Sequence, residues 1–520
     1  MRAPARPKFG WRECLMLCLP GLILGAALRL CLLTATPEGF FSPDAPSYFQ
    51  ATDTLWKHRH HIFFSEKRRW LYPMLLMPLP AMPMSPARSI PILQHLLGLA
   101  FVFGIGWITG NMTRLRAVWV PLTSFLAAIL PDMLSLEHFV GADSVFLAAC
   151  VLTVALAMPP GSLLDRKRLF WFLLAAAAVP ALKPHGRGFW IGCVLSAVLI
   201  AGNPLKWGGK CWAALALAVV IIFTSGEKQQ GSWLLLNSAL PLVNLDAPDW
   251  KEYRDELRPL VLEARHELDQ YAWTQMTFKK RLDRDHAAKV GPAWAGLATD
   301  GSKYSHVCFV LALEAILRHP FAFAKLTMMK IGIAFAGCNF VGAELTPAGF
   351  WESQNFYNTG YWSQDGGREM KLFYQMDQPQ YEKMAEEGKT GKNLAMPFLN
   401  AASRFLVWFS DNQDPVTGKH WLGIGWLGAC AAFGLVVCLT PARFVATSVL
   451  WLPAALCVTS VLAVGDRLPR YVAPAEGAAL VIIAIGLDAL ICAGYSLAAR
   501  LLAKRTPAPA LLMRQKDSWF

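Results

Sequence analysis

The sequence predicts an all-α protein: a polytopic bundle of transmembrane helices with a mostly helical domain outside the membrane. Three observations carry that expectation. Of the 520 residues, 55% are hydrophobic and only 16% charged, where a soluble domain carries roughly 25% charged residues. Long apolar runs recur, among them Cys14–Ala35, Ile90–Gly110, Leu422–Leu439, Phe444–Val464 and Val472–Ala499. Several reach the roughly 20 residues that cross a hydrocarbon core as helix. Short basic loops separate the runs and mark every second connection, as expected on the cytoplasmic side.

Taken in order, the first run follows Arg2, Arg6, Lys8 and Arg12. That basic start resembles a signal peptide. The run is long and contains Arg29, with no small-x-small cleavage site before Pro37, so it reads as a retained first span. Ser144–Pro159, Leu169–Leu182, Gly188–Gly202 and Cys211–Thr224 are shorter and need flanking residues or local bilayer thinning to cross. Basic residues at Arg114/Arg116, Arg166–Arg168, Lys206/Lys210, Arg443 and Arg500/Lys504/Arg505 place those loops and both termini in the cytoplasm. Three modules follow: a membrane module at 1–225 with about seven spans, an outer segment at 226–417, and a second membrane module at 418–520 with about three spans. Phe321–Phe340 and Leu394–Phe409 contain Lys325, Lys330 and Arg404, charges that are costly at mid-bilayer. They read as helices lying on the outer leaflet. In the outer segment Leu257, Leu260, Val261, Ala264 and Leu268 recur at helical spacing, whereas Asn358–Gly391 reads as a loop on its glycines.

The net charge of +13 belongs to this loop asymmetry and to attraction for anionic lipid, not to nucleic acid. Most of the twelve cysteines sit inside apolar runs without metal spacing and read as small packing residues. Cys308 and Cys338 lie on the side expected to be oxidising, where a bridge is chemically permitted.

Candidate chemistry gathers at the expected outer face. Ser42-Pro43-Asp44 starts a helix that runs to about Lys57, with Asp44 at its N-terminus and Tyr48 one turn on. Capping alone would account for Asp44. Lys67, Arg68 and Arg69 then break the positive-inside bias. Asp132, Glu137 and Asp143 lie between the third and fourth spans, Lys183 and Arg187 between the fifth and sixth, and Arg467, Arg470 and Tyr471 before the last. Each suits interfacial anchoring; together they outline a membrane-level cleft with carboxylates at one end and cations at the other.

The order of these pieces resembles the GT-C superfamily of polytopic glycosyltransferases, especially the family of protein O-mannosyltransferases and bacterial aminoarabinose transferases. The resemblance lies in Asp44 with Tyr48 after span one, Arg69–Pro73 before span two, Asp143-Ser144-Val145-Phe146 opening span four, and Arg470-Tyr471 with Pro474 opening the last. Glu314–Phe323 is similar to a helix of the outer domain in bacterial members. Ala45 follows Asp44, where parts of the superfamily carry a second acid. The resemblance implies a bundle of about 10–12 spans in the inner membrane with its site facing the periplasm. It implies transfer of a sugar from a polyprenyl-phosphate donor to a hydroxyl of a protein, lipid or glycan acceptor. Asp44 and Asp143 would be the catalytic carboxylates, one acting as general base. Lys67, Arg68, Arg69, Lys183, Arg187, Arg467 and Arg470 would hold the donor phosphate, and Tyr48, Glu137 and Tyr471 would touch substrate. No cofactor is expected, although Asp44 with Asp143 is a pair that could hold a divalent metal. The alternatives are a transporter or flippase of a lipid-linked or anionic substrate, which would carry ionisable groups deep in several spans, and an O-antigen ligase or polymerase.

Overall fold

The computed structural model describes residues 9–39, 45–57, 68–224, 230–269, 289–336, 368–390, 434, 440–464 and 473–505. Every element among them is helical. Among the described residues, four helices are long and apolar enough to cross a membrane: α1 (Trp11–Ala35), α4 (Pro86–Met112), α18 (Pro441–Val464) and α19 (Ala473–Arg505). A fifth candidate is the pair α14 (Gly301–Arg318) and α15 (Pro320–Ala336), which bend by 104° at His319. The remaining apolar helices of the first module are α5 (Arg116–Ala128), α7 (Asp143–Leu156), α8 (Arg166–Leu182), α9 (Gly186–Ala201) and α10 (Gly209–Thr224). With lengths of 13 to 17 residues, they fall short of the roughly 20 needed to cross unaided. The expected stretches 394–409 and 422–433 lie outside the described residues.

α4 is the centre of the first module. It packs against α1, α5, α7 and α19, and against the short α6 (Pro131–His138). α9 lies along α18, the most extensive helix pairing among the described residues. Its Gly188, Gly192 and Ser196 are spaced four apart on one face, and a Cβ at 188 or 192 would come within 2.3–2.4 Å of Leu456 O or Pro453 Cα. Small residues at this spacing let backbones approach where lipid gives no hydrophobic drive, and Ser196 Oγ closes the contact on Ser448 O at 2.9 Å. α19 is tied to the α4–α5 turn by Asp488, whose two oxygens accept the Arg114 and Leu115 N–H groups at 2.8 Å each.

A second core forms from α11 (Gln230–Ala239), α12 (Lys251–Asp269), α13 (Pro292–Thr299), α14 and the start of α15. The helical spacing of Leu257, Val261 and Ala264 buries all three. Arg254 is 1% exposed at its centre. It donates to the Asn244 and Asp249 carbonyls and pairs with Glu314, so the guanidinium is satisfied rather than stranded. Cys308 is buried in this core as a free thiol; Cys338 lies outside the described residues.

The expectation of a loop over 358–391 is corrected. Residues 368–390 form α16 (Arg368–Tyr374) and α17 (Gln378–Lys389). Asp377 caps α17 with a reciprocal capping box to Gln380, and Pro379 sits in its first turn, signals that outweigh the downstream Gly388. α16 packs on α4 and on α2 (Ala45–Lys57), and Phe373, Tyr374 and Tyr381 join the first core.

Candidate functional site

α7 and α8 pack side by side, so the N-terminus of α7 meets the C-terminus of α8. Asp143 is the first residue of α7 and Lys183 caps α8. Each charge therefore sits on the dipole end that favours it, and the two form an ion pair with side chains 13% and 10% exposed. Lys183 is forced to end its helix because Pro184 follows.

The segment before the second long helix closes over this pair. α3 (Leu71–Leu76) packs on the end of α8. Its Tyr72 is 2% exposed, and burial, reinforced by Tyr48 and Asp143, pushes its hydroxyl well above the usual tyrosine range. Tyr72 is thus a fixed donor. It gives its proton to Gln94 Oε1 at 2.9 Å and accepts from the Gly141 N–H. Tyr48, on α2, meets Tyr72 edge-to-face with centroids 4.9 Å apart. Arg68 stacks over the Tyr48 ring at 4.7 Å and donates to Ser47 Oγ at 2.5 Å. Arg69 is 2% exposed beside them, and Phe373 of α16 packs on Phe49 of the Tyr48 helix at 5.4 Å.

The chain therefore brings Tyr48, Arg68, Arg69, Asp143 and Lys183 to one end of the bundle. Arg187, in the first turn of α9, donates to Ile222 O at 3.4 Å, directed at α10. Asp44, Lys67, Arg467, Arg470 and Tyr471 lie outside the described residues. Glu137 faces inward: its side chain is 0% exposed and paired with Arg29 and His95. Among the described residues, no group of three His, Cys, Asp or Glu gathers as a metal site.

Below the ion pair lies an apolar crevice lined by Ile105, Cys150, Val154, Phe189, Leu450 and Val481 among others. Cys150 is seven residues after Asp143, so the crevice lies about 10 Å along α7 from the carboxylate, at 1.5 Å per residue.

Two participants escape a reading of the sequence, Gln94 and His95, while Tyr72 was noticed only as part of the Arg69–Pro73 element, without a role. Gln94 donates to the carbonyls of Glu137 at 2.8 Å and Phe139 at 2.6 Å, holding the connection that leads to Asp143. The available signal was two polar residues inside the apolar run Ile90–Gly110, where each needs an internal partner. Comparison with protein-family models, curated proteins and solved structures returns no match. Among the described residues the fold is all-helical, with four apolar helices of membrane-crossing length, or five counting the bent pair, which suggests a membrane protein.

Proposed function

We infer that this protein is an integral-membrane glycosyltransferase that moves a sugar from a polyprenyl-phosphate donor to an acceptor hydroxyl at the outer face of the inner membrane. The observation that carries the reading is the Asp143–Lys183 pair, closed over by Tyr72, above an apolar crevice. A lipid-phosphate donor needs that combination: a cation for the phosphate, a carboxylate near the acceptor, and an apolar groove for the chain. The leaving phosphate is a weak base, so its departure needs charge stabilisation more than a proton. Lys183 and the Arg68–Arg69 pair supply it. Asp44, which precedes the Tyr48 helix in the sequence, is the general base, and Asp143 orients Lys183 and the acceptor. The shorter helices of the first module complete a bundle of about ten spans or more.

The test is donor consumption by the purified protein in nanodiscs, with radiolabelled mannosyl-, glucosyl- and aminoarabinosyl-phosphopolyprenols and a membrane extract as acceptor. Transfer that falls at least a hundredfold in Asp44→Asn, within the range a general base supplies, supports the reading; intact donors throughout reject it. One observation favours a second reading, a proton-coupled transporter: Arg29, His95 and Glu137 form a buried ionisable group between α1 and α4, where such groups often mark transport paths. Transport would move an intact donor across sealed vesicles without breaking its sugar–phosphate bond.

A further inference from the structure

The buried group centred on Glu137 has a proton count that its hydrogen bonds fix. Arg29 Nη2 donates to Glu137 Oε1 at 2.5 Å. Glu137 Oε2 lies 2.6 Å from His95 Nδ1. His95 Nε2 lies 2.9 Å from His138 Nδ1, and His138 Nε2 lies 2.7 Å from the Thr36 carbonyl. From Glu137 to Thr36 there are three contacts between heteroatoms, and each must contain one proton to be a hydrogen bond. The Thr36 carbonyl has none to give. The Thr36 hydroxyl donates to Leu32 O at 3.0 Å and leaves its lone pair towards His138. Two neutral imidazoles bring two protons, so the third is additional.

We propose that Glu137, His95 and His138 form a buried proton-binding site that holds one proton beyond two neutral histidines and an ionised carboxylate. With Arg29 the group carries a net charge of +1. Burial, with His95 beside it, holds His138 far below the ordinary histidine range, at about 3. The proton therefore belongs to the Glu137–His95 contact. Loss of the proton leaves two lone pairs facing each other across one contact, so one of the three must open. The groups that face the site are Arg29 from α1, His95 from α4, and Glu137 and His138 from α6. Tyr72 of α3 reaches it through Gln94. The next ion pair outward, Arg88–Glu38 at 2.8 Å, bridges the start of α4 to the segment after α1. Because Gln94 and His95 are neighbours and both grip the 136–139 connection, the bound proton also positions the segment that presents Asp143. The site is independent of which substrate the outer face takes.

The test is spectroscopic, on the full chain in nanodiscs at pH 7 with ¹⁵N-labelled histidine. Solid-state NMR reads the His95 ring nitrogens, assigned by their loss in His95→Gln or, should that variant not fold, by backbone-to-ring correlation in the unaltered protein. Infrared difference spectra read any protonated carboxyl. The expected result is either a doubly protonated His95 ring, or a neutral ring with a carboxylic-acid C=O band lost in Glu137→Gln. In Glu137→Gln the amide can donate to His95, so the ring should become neutral. A neutral His95 ring without a carboxylic-acid band overturns the proposal, and so does a doubly protonated ring that persists unchanged in Glu137→Gln.

Discussion

Gly98→Ala isolates the buried ionic group by steric means alone. In a helix interior, glycine to alanine ordinarily gains about 1 kcal/mol. At position 98, on α4, the added Cβ would lie 1.8 Å from Glu137 Oε1, 2.3 Å from its Cδ and 2.7 Å from Arg29 Nη2. Glu137 has no free end to retreat, because Arg29 holds one oxygen and His95 the other. The carboxylate must leave its pair, and breaking a buried ion pair costs about 3–5 kcal/mol. The net expectation is a loss of about 2–4 kcal/mol after the gain in helix propensity. Gly494→Ala on α19 is the control, since a Cβ there meets nothing within 4 Å and the change should be neutral or stabilising. The assay is equilibrium unfolding in one lipid system, followed by helical circular dichroism. If Gly98→Ala is as stable as Gly494→Ala, the ionic group is not packed as described and the account of Glu137 falls.

Tyr72→Phe should lose one hydrogen bond and leave Gln94 Oε1 without its donor, costing about 1–3 kcal/mol; a thermal midpoint unchanged from the parent protein would contradict the closure over Asp143. Gly192→Leu should separate α9 from α18, because even a Cβ comes 2.4 Å from Pro453 Cα, and crosslinking yield between cysteines introduced at 196 and 448, which are in contact in the parent, should drop. His138 binds its proton only near pH 3 in the folded chain, against about 6.5 when exposed. The unfolded chain thus takes up the proton first as pH falls. The stability from this group is whole above about pH 6.5 and is lost towards pH 3 at about 1.4 kcal/mol per unit. Unfolding measured at pH 7, 6 and 5 should show a shallower acid decline in His138→Gln; equal slopes would contradict the burial of a neutral imidazole.

Much of the scaffold was legible because its signals are local. Among the described residues the apolar runs became helices, a helix spans Ala45–Lys57 after the first span, and Leu257, Val261 and Ala264 face one core. The two ends of the Asp143–Lys183 pair were also visible, each at a helix terminus. Their pairing was not, since 40 residues separate them and only the packing of α7 on α8 closes the distance. Glu137 was read as an outer-face carboxylate because it lies between the third and fourth spans. α6 instead turns it towards Arg29, and the cue was Arg29 itself, a charge in an apolar run that requires a partner. The loop expected over 358–391 rested on glycines, and the capping signal Asp377-x-x-Gln380 outweighed them.

The central claim is that a polyprenyl phosphate lies with its head at Lys183 and its chain in the apolar crevice. A density map of the full chain in nanodiscs with a non-hydrolysable phosphonate analogue of a polyprenyl-phosphate sugar tests it most directly. The account predicts phosphonate density within hydrogen-bond distance of Lys183 Nζ, next to Asp143 and Tyr72. The isoprenoid tail should run between α7, α9, α18 and α19 past Cys150 and Val481. Phosphonate density away from Lys183, or a crevice that stays closed at saturating analogue, would contradict it.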